Sequence, residues 1–311
     1  MIGAVLTAVF FGITPVCAGR AIALIGFVRA NLLRLAFALA VMGAWAFTFG
    51  KGWTGLPWFF AAAGAIGFGL GGLALLAALP RLGAPLTSLV EESAAAVVAA
   101  VVAWLWYSDR LTAGQVAFCG VILAGVLVGL WPYVRGTSFK GIRLGIALAL
   151  LAALAQGISF AMTRRGLLLM KQDHLAPDTV TVAFQRLAGG LLVAIVVFLV
   201  ARWVWRRRWG FTGADGRVRG ILGSSGTNGS LTDRPLYWAG LNALFGPILG
   251  VTCTVWAQQS MNPGVVQAVA AMAPLISVPF ARRLQGHKPP AMWYLGALIA
   301  IAGLILLYLA G

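Results

Sequence analysis

Apolar residues run along the chain in stretches of about twenty, separated by short clusters of Gly, Pro and charge. A bilayer's hydrocarbon core is about 30 Å thick, so a helix needs ~20 such residues to cross it. Reading the runs between their breaks predicts ten helices, near 2–19, 28–49, 56–79, 84–106, 112–132, 143–163, 179–201, 236–257, 263–281 and 291–310. Pro57, Pro85, Pro263 and Pro290 support four of the starts. Proline is tolerated in a first helical turn because its missing N–H would have no helical partner there. Most predicted connections are short. The exception, 202–235, is rich in Gly, Ser, Asn and Asp and reads as a flexible polar loop. Residues 1–10 lack a basic region ahead of the apolar stretch, so the first span, not a cleaved leader, is expected to begin there.

Composition turns this pattern into a class. Of 311 residues, 61% are hydrophobic and 10% charged, whereas soluble proteins carry roughly 25% charge. The chain is expected to be an all-α polytopic membrane protein. Cys17, Cys119 and Cys253 lie far apart inside apolar runs, and the two histidines are His174 and His287, so neither a disulfide framework nor a metal site is expected. A net charge of +16 raises the question of nucleic acid. The basic residues sit between apolar runs, where the positive-inside rule accounts for them, and no nucleic-acid partner is expected.

The second half of the chain repeats the first. At an offset of 178, Pro85 matches Pro263, Asp109 matches His287, Arg110 matches Lys288 and Gly125 matches Gly303. Arg34 and Arg186 take similar places early in the second and seventh spans. Residues 1–136 and 137–311 are therefore expected to form two five-helix repeats. An odd number of spans per repeat forces opposite orientations, the inverted architecture common among secondary transporters.

The opening Phe11-Gly12-Ile13-Thr14-Pro15, the two arginine positions and the tails WYSDRLTAGQVAFCGVILAG and LQGHKPPAMWYLGALIAIAG resemble the EamA-type branch of the drug/metabolite transporter superfamily over nearly the whole length. The sequence departs from that pattern at His287, where an acidic residue usually ends the ninth span, and in the strongly basic 202–235 loop. The resemblance implies a small-molecule transporter with both chain ends inside the cell. Charge points the other way. Only Lys51, Arg110, Arg164, Arg165, Lys171 and Arg186 lie on the side of the even-numbered connections, and the other 17 basic residues lie opposite. The orientation is read from this count, which puts the 202–235 loop in the cytoplasm of a multi-pass protein of the cell membrane, of bacterial inner-membrane type.

Seven acidic residues occur, and only Glu91 and Glu92 fall within a predicted span. They follow Pro85 by six and seven residues, ~9–10 Å along a helix. A carboxylate at membrane depth is costly and by default marks a substrate or proton site. The competing reading is a pair reaching back to interfacial water. Adjacent helical residues point ~100° apart, so one of the two is expected to face a central cavity and the other a basic neighbour, Arg34 or Arg186. Either arginine has the planar fork that binds carboxylate or phosphate, and snorkelling to the interface explains them equally well. Gln258, beside Trp256 at the end of the eighth span, and Gln267, one turn into the ninth, complete the candidate substrate and proton site.

Other features read as structural. Trp53, Trp58, Trp131 and Trp293 fit interfacial anchors. The run Gly67-Phe68-Gly69-Leu70-Gly71-Gly72 satisfies a dinucleotide fingerprint but lies inside an apolar span, where Gly67 and Gly71 serve close helix packing. Arg206-Arg207-Arg208 reads as a topology signal beside lipid headgroups, and Asn228-Gly229-Ser230 as a chance sequon. No phosphate-binding loop appears, and no span supplies the paired acids or zinc ligands of a membrane protease. The expectation is a secondary transporter, not an enzyme, with no cofactor, acting as a monomer or homodimer. It exports a small metabolite, such as an amino acid, or a drug by alternating access, coupled to protons through Glu91 and Glu92. Two alternatives are an organic-anion or sugar-phosphate exchanger built on Arg34 and Arg186, and a flippase for a lipid-linked substrate.

Overall fold

The computed structural model describes residues 1–135, 142–209, 234–285 and 290–309. Most of the 202–235 loop, including Asn228, lies outside the described residues, as do His287 and Lys288 and the side chains of Arg206, Arg207, Arg208, Arg282 and Arg283. Among the described residues there are helices and no strands, and eight helices are long and apolar enough to cross a membrane.

One of the eight, Pro57–Tyr107, is 51 residues long. It bends at Gly83, whose φ of 76° and ψ of 163° belong to a region open essentially to glycine. Gly83 thus separates α3 (57–82) from α4 (84–107). Gly26, at φ 75° and ψ 160°, makes the same one-residue turn between α1 (Ile2–Ile25) and α2 (Phe27–Thr48). The ninth span is made of two shorter helices, Pro263–Ala270 and Ala273–Gln285, here α9. With α5 (Ala113–Arg135), α6 (Ile142–Gln172), α7 (Thr179–Trp209), α8 (Pro235–Gln258) and α10 (Ala291–Leu309), the ten expected helices are all present.

Several run further than hydropathy predicts. Helix α1 continues through Pro15 and Arg20 to Ile25, and α6 continues past Arg164 and Arg165 to Gln172. Hydropathy delimits the part of a helix that suits lipid, whereas the backbone ladder carries on into water wherever nothing breaks it. Helices α3 and α8 also share a feature that the sequence did not announce. Each contains a seven-residue π-helical segment, Ala65–Gly71 and Leu244–Gly250, at corresponding places in the two halves. Such segments are rare and occur often at functional sites.

The halves interlock. Helix α1 packs on α8 and α9, and α6 packs on α3 and α4, so the first helix of each half lies on the third and fourth of the other. Helix α2 lies against α7 and α8, α7 against α3, and α5 pairs with α10. Lipid tails give helices no hydrophobic reason to associate, so close packing of small residues must do it. Gly64 abuts the backbone carbonyl of Arg186, Gly189 abuts that of Ala61, and Gly296 lies directly against Gly129 and Gly125. A Cβ at any of these three would overlap backbone. The Gly67–Gly72 run packs in the same manner: Gly67 faces Ser159, Gly69 faces Val193 and Gly71 faces Ala155.

Candidate functional site

Pro85 sets the start of α4 just past the Gly83 bend, which places Ser88, Glu91 and Glu92 on its second and third turns. There α4 meets helices from both halves around a cavity of about 60 Å³. Glu91 and Glu92 both line it, although they are only 3% and 7% exposed. The expectation that a single carboxylate would face the cavity is corrected, because the space wraps the face of α4 and both long side chains reach it. Both carboxylates are buried inside the bundle. Arg34 of α2 and Gln156 of α6 complete the polar wall, and Phe11, Phe68 and Pro247 are among the apolar residues opposite.

Arg34 is buried at 6% exposure, which removes the snorkelling reading. Its Nε donates to Asn31 Oδ1 at 2.9 Å, and its Nη2 lies beside Gly72, where a Cβ would come within 2.6 Å. Glycine at 72 therefore makes room for the guanidinium. Arg34 and Glu91 attract each other across the cavity without forming a direct ion pair; the one described ion pair lies elsewhere. Glu92 has a different neighbour. The Gln267 amide of α9 donates a hydrogen bond to its Oε2, so the carboxylate expected to meet a base meets a neutral amide instead.

The other expected site residues sit apart. Arg186 is fully buried but is absent from the cavity wall. Its Nη2 donates to Ser159 Oγ at 3.1 Å, Ser159 Oγ donates to the Ala63 carbonyl at 2.6 Å, and the guanidinium lies 4.9 Å from the Phe68 ring and 5.5 Å from that of Phe160. It stands one layer behind Phe68, neither at the interface nor beside a carboxylate. Trp256 is 48% exposed and faces out from the bundle, a correction to its place in the expected site. Gln258 is fully buried near the far end of α8, with neither amide atom partnered.

That far end is closed by polar contacts. Asp109 and Arg164 form an ion pair at 3.5 Å, Arg164 Nη1 donates to the Gln258 carbonyl at 2.7 Å, and Asn262 Nδ2 donates to the Asp109 carbonyl at 2.9 Å. These bonds tie the end of α4 to α6 and to the α8–α9 turn. Outside them lies a second space of about 460 Å³, bordered by Arg110, Gln115, Arg164 and Tyr308, which shares no lining residue with the central cavity. Ligand pockets typically need 300–1,000 Å³. At about 60 Å³ the central cavity is well below that range.

Sequence reasoning passed over Asn31, Ser88 and Gln156. The available signal was a polar side chain inside an apolar span, which was followed for Gln267 but not for these. No group of three or more metal-ligating side chains occurs among the described residues.

The EamA-like transporter family matches the chain over residues 1–131 and 143–309. No curated protein matches it. Among 29 matching chains of solved structure, one crystal structure shares 17% identity at a TM-score of 0.70, covering 99% of this chain and 96% of its own. At that identity the likeness establishes the fold alone.

Proposed function

The chain belongs to the EamA-like transporter family of the drug/metabolite transporter superfamily and is a multi-pass membrane transporter of that type; from that premise we propose that it exchanges a small metabolite or drug-like compound for protons by alternating access. The observation that carries this reading is the placement of Glu91 and Glu92 on one buried cavity with Arg34 as the facing cation. Neighbouring like charges resist joint ionisation, and an opposite charge relieves one of them. Such a pair suits a site that holds either a proton or a substrate. The cavity is walled by helices of both halves, so rocking one half against the other would expose it to each side in turn. Protons entering down an inward gradient then drive the substrate out.

The π-helical segments support the same reading. Gly67 and Phe68 from one, and Gly246 and Pro247 from the other, line the cavity, so its walls carry the most irregular backbone of α3 and α8. The anion-exchanger alternative loses support because Arg186 stands outside the cavity wall. Two assays on the full chain in liposomes test the proposal. Glu91→Gln and Glu92→Gln should abolish accumulation driven by a pH gradient and weaken substrate–substrate counterflow, with thermal unfolding as in the native chain. Gradient-driven accumulation that persists in both variants contradicts it.

A further inference from the structure

The space of about 460 Å³ at the Asp109 end of the bundle has the size of a ligand site, and the transport reading makes no use of it. It opens between the α4–α5 turn, the start of α5, the α8–α9 turn and the last turn of α10. The side chains around it set its depth. Trp104 and Trp106 are exposed just before the α4–α5 turn, and Tyr308 stands exposed at the rim. Tryptophan and tyrosine gather where hydrocarbon gives way to headgroups, so the opening lies at headgroup level.

The polar groups on its wall divide into those with partners and those without. Thr112 and Gln115 cap the start of α5, each side chain accepting from the other's backbone N–H. Asn262 uses both ends of its amide, accepting from the Gly264 N–H and donating to the Asp109 carbonyl. Arg110 differs. It is exposed, forms no ion pair among the described residues, and lies 6.0 Å from the Trp104 ring. Arg164 and Asp109 approach to 3.5 Å, yet neither Arg164 Nε nor Asp109 Oδ2 makes a hydrogen bond. The described wall thus carries two guanidiniums against one loosely held carboxylate. Just beyond it, Arg165 beside the Tyr107 ring adds a further positive charge. An anion with several acceptor oxygens is the missing partner, and a phosphate matches the guanidinium fork. Met261, Val265 and Leu307 give the space an apolar floor, which a free phosphate would leave uncovered. Basic pockets between transmembrane helices take lipid headgroups. We propose that this space binds the phosphate of an anionic phospholipid through Arg110 and Arg164, with the glycerol backbone over Met261, Val265 and Leu307. The lipid is held here, not transported. A zwitterionic lipid fits less well, because its ammonium returns a cation to a wall already rich in them.

The test counts lipids on the full chain by native mass spectrometry, after equilibration in detergent with phosphatidylglycerol and phosphatidylcholine of identical acyl chains. One phosphatidylglycerol should stay bound per chain in preference to phosphatidylcholine. A hydrogen bond to a charged group is strong enough that Arg110→Gln should weaken this binding about tenfold. Arg110→Lys keeps the charge and should restore most of it. Lys171→Gln removes a charge that borders a different space, beside Gln259, and should leave binding unchanged. Arg110 and Lys171 are both exposed, so all three variants should unfold at the native temperature. Glycerol 3-phosphate carries the phosphate without acyl chains and should fail to displace the lipid at equal concentration. Displacement by it overturns the lipid assignment in favour of a soluble phosphate. Equal retention of the two lipids, native binding by Arg110→Gln, or equal losses in Arg110→Gln and Lys171→Gln overturns the site itself.

Discussion

The Gln267 side chain donates a hydrogen bond to Glu92, joining the fourth helix of one half to the fourth helix of the other. No other described contact ties one of the two carboxylates to the opposite half by a hydrogen bond. The bond crosses between the two halves, so under the proposed alternating access it belongs to one end of the cycle and loosens in the other.

Gln267→Leu removes the donor and leaves Glu92 with only the neighbouring Glu91 carboxyl as its partner in a buried site. A hydrogen bond to a charged group contributes about 1.5–3 kcal/mol, so gradient-driven transport should fall by roughly tenfold or more. Gln267→Asn, a shorter donor, should recover part of the rate. Initial rates of dye-reported proton flux distinguish the variants, and equal rates for Gln267→Leu and the native chain would show that the bond does not matter to turnover.

The two repeat-related arginines should behave differently. Arg186 touches Ser159 and two aromatic rings but not the cavity. Arg186→Gln releases Phe68, a wall residue, and so should slow transport. It should leave the proton-to-substrate ratio as in the native chain. A ratio that changes in Arg186→Gln, measured by dye and labelled substrate together, would place that guanidinium in the site after all.

Arg164 closes the end of the bundle opposite Gly83. Its side chain is 12% exposed and that of Asp109 24%. Arg164→Ala removes the ion pair and also the donor to the Gln258 carbonyl. Loss of one such bond costs about 1–3 kcal/mol. In a background lacking Cys17, Cys119 and Cys253, a Gln258→Cys reporter should therefore react with a water-soluble maleimide about tenfold faster once Arg164 is replaced. Unchanged reactivity would mean that the closure does not depend on this pair.

Helix pairing at the periphery should be equally sharp. Gly296→Ala places a Cβ on the backbone of Gly129 and forces α10 away from α5, whereas Gly120→Ala meets nothing within 4 Å. Overpacking commonly costs about 1–3 kcal/mol. Thermal unfolding in detergent should show a clear drop for Gly296→Ala and none for Gly120→Ala.

Much of this was legible in the sequence, and the reasons are specific. Ten spans follow from apolar length, and Glu91 and Glu92 stand out because acids are costly at membrane depth. Gln267 was readable on the same ground. Helix ends were not, since α6 carries Arg164 and Arg165 as easily as it carries leucine once its apolar part is past. The π-helical turns were hidden because Ala65–Gly71 and Leu244–Gly250 look like any apolar helix in one dimension. Arg34 and Arg186 occupy matching positions, and nothing along the chain says that Ser159, Phe68 and Phe160 enclose one while a cavity opens to the other. Trp256 misled because Gln258, two residues on, is buried, and residues two apart on a helix point ~200° apart, to nearly opposite faces.

The central claim is that Glu91 and Glu92 form the site at which protons are exchanged for substrate. The most direct measurement follows internal pH in liposomes bearing either the native chain or the Glu91→Gln/Glu92→Gln double variant while candidate substrates are added outside. The account expects substrate-evoked proton movement from the native chain and none from the double variant, with both proteins folded by the same thermal-unfolding criterion. Equal proton movement from the two would contradict it.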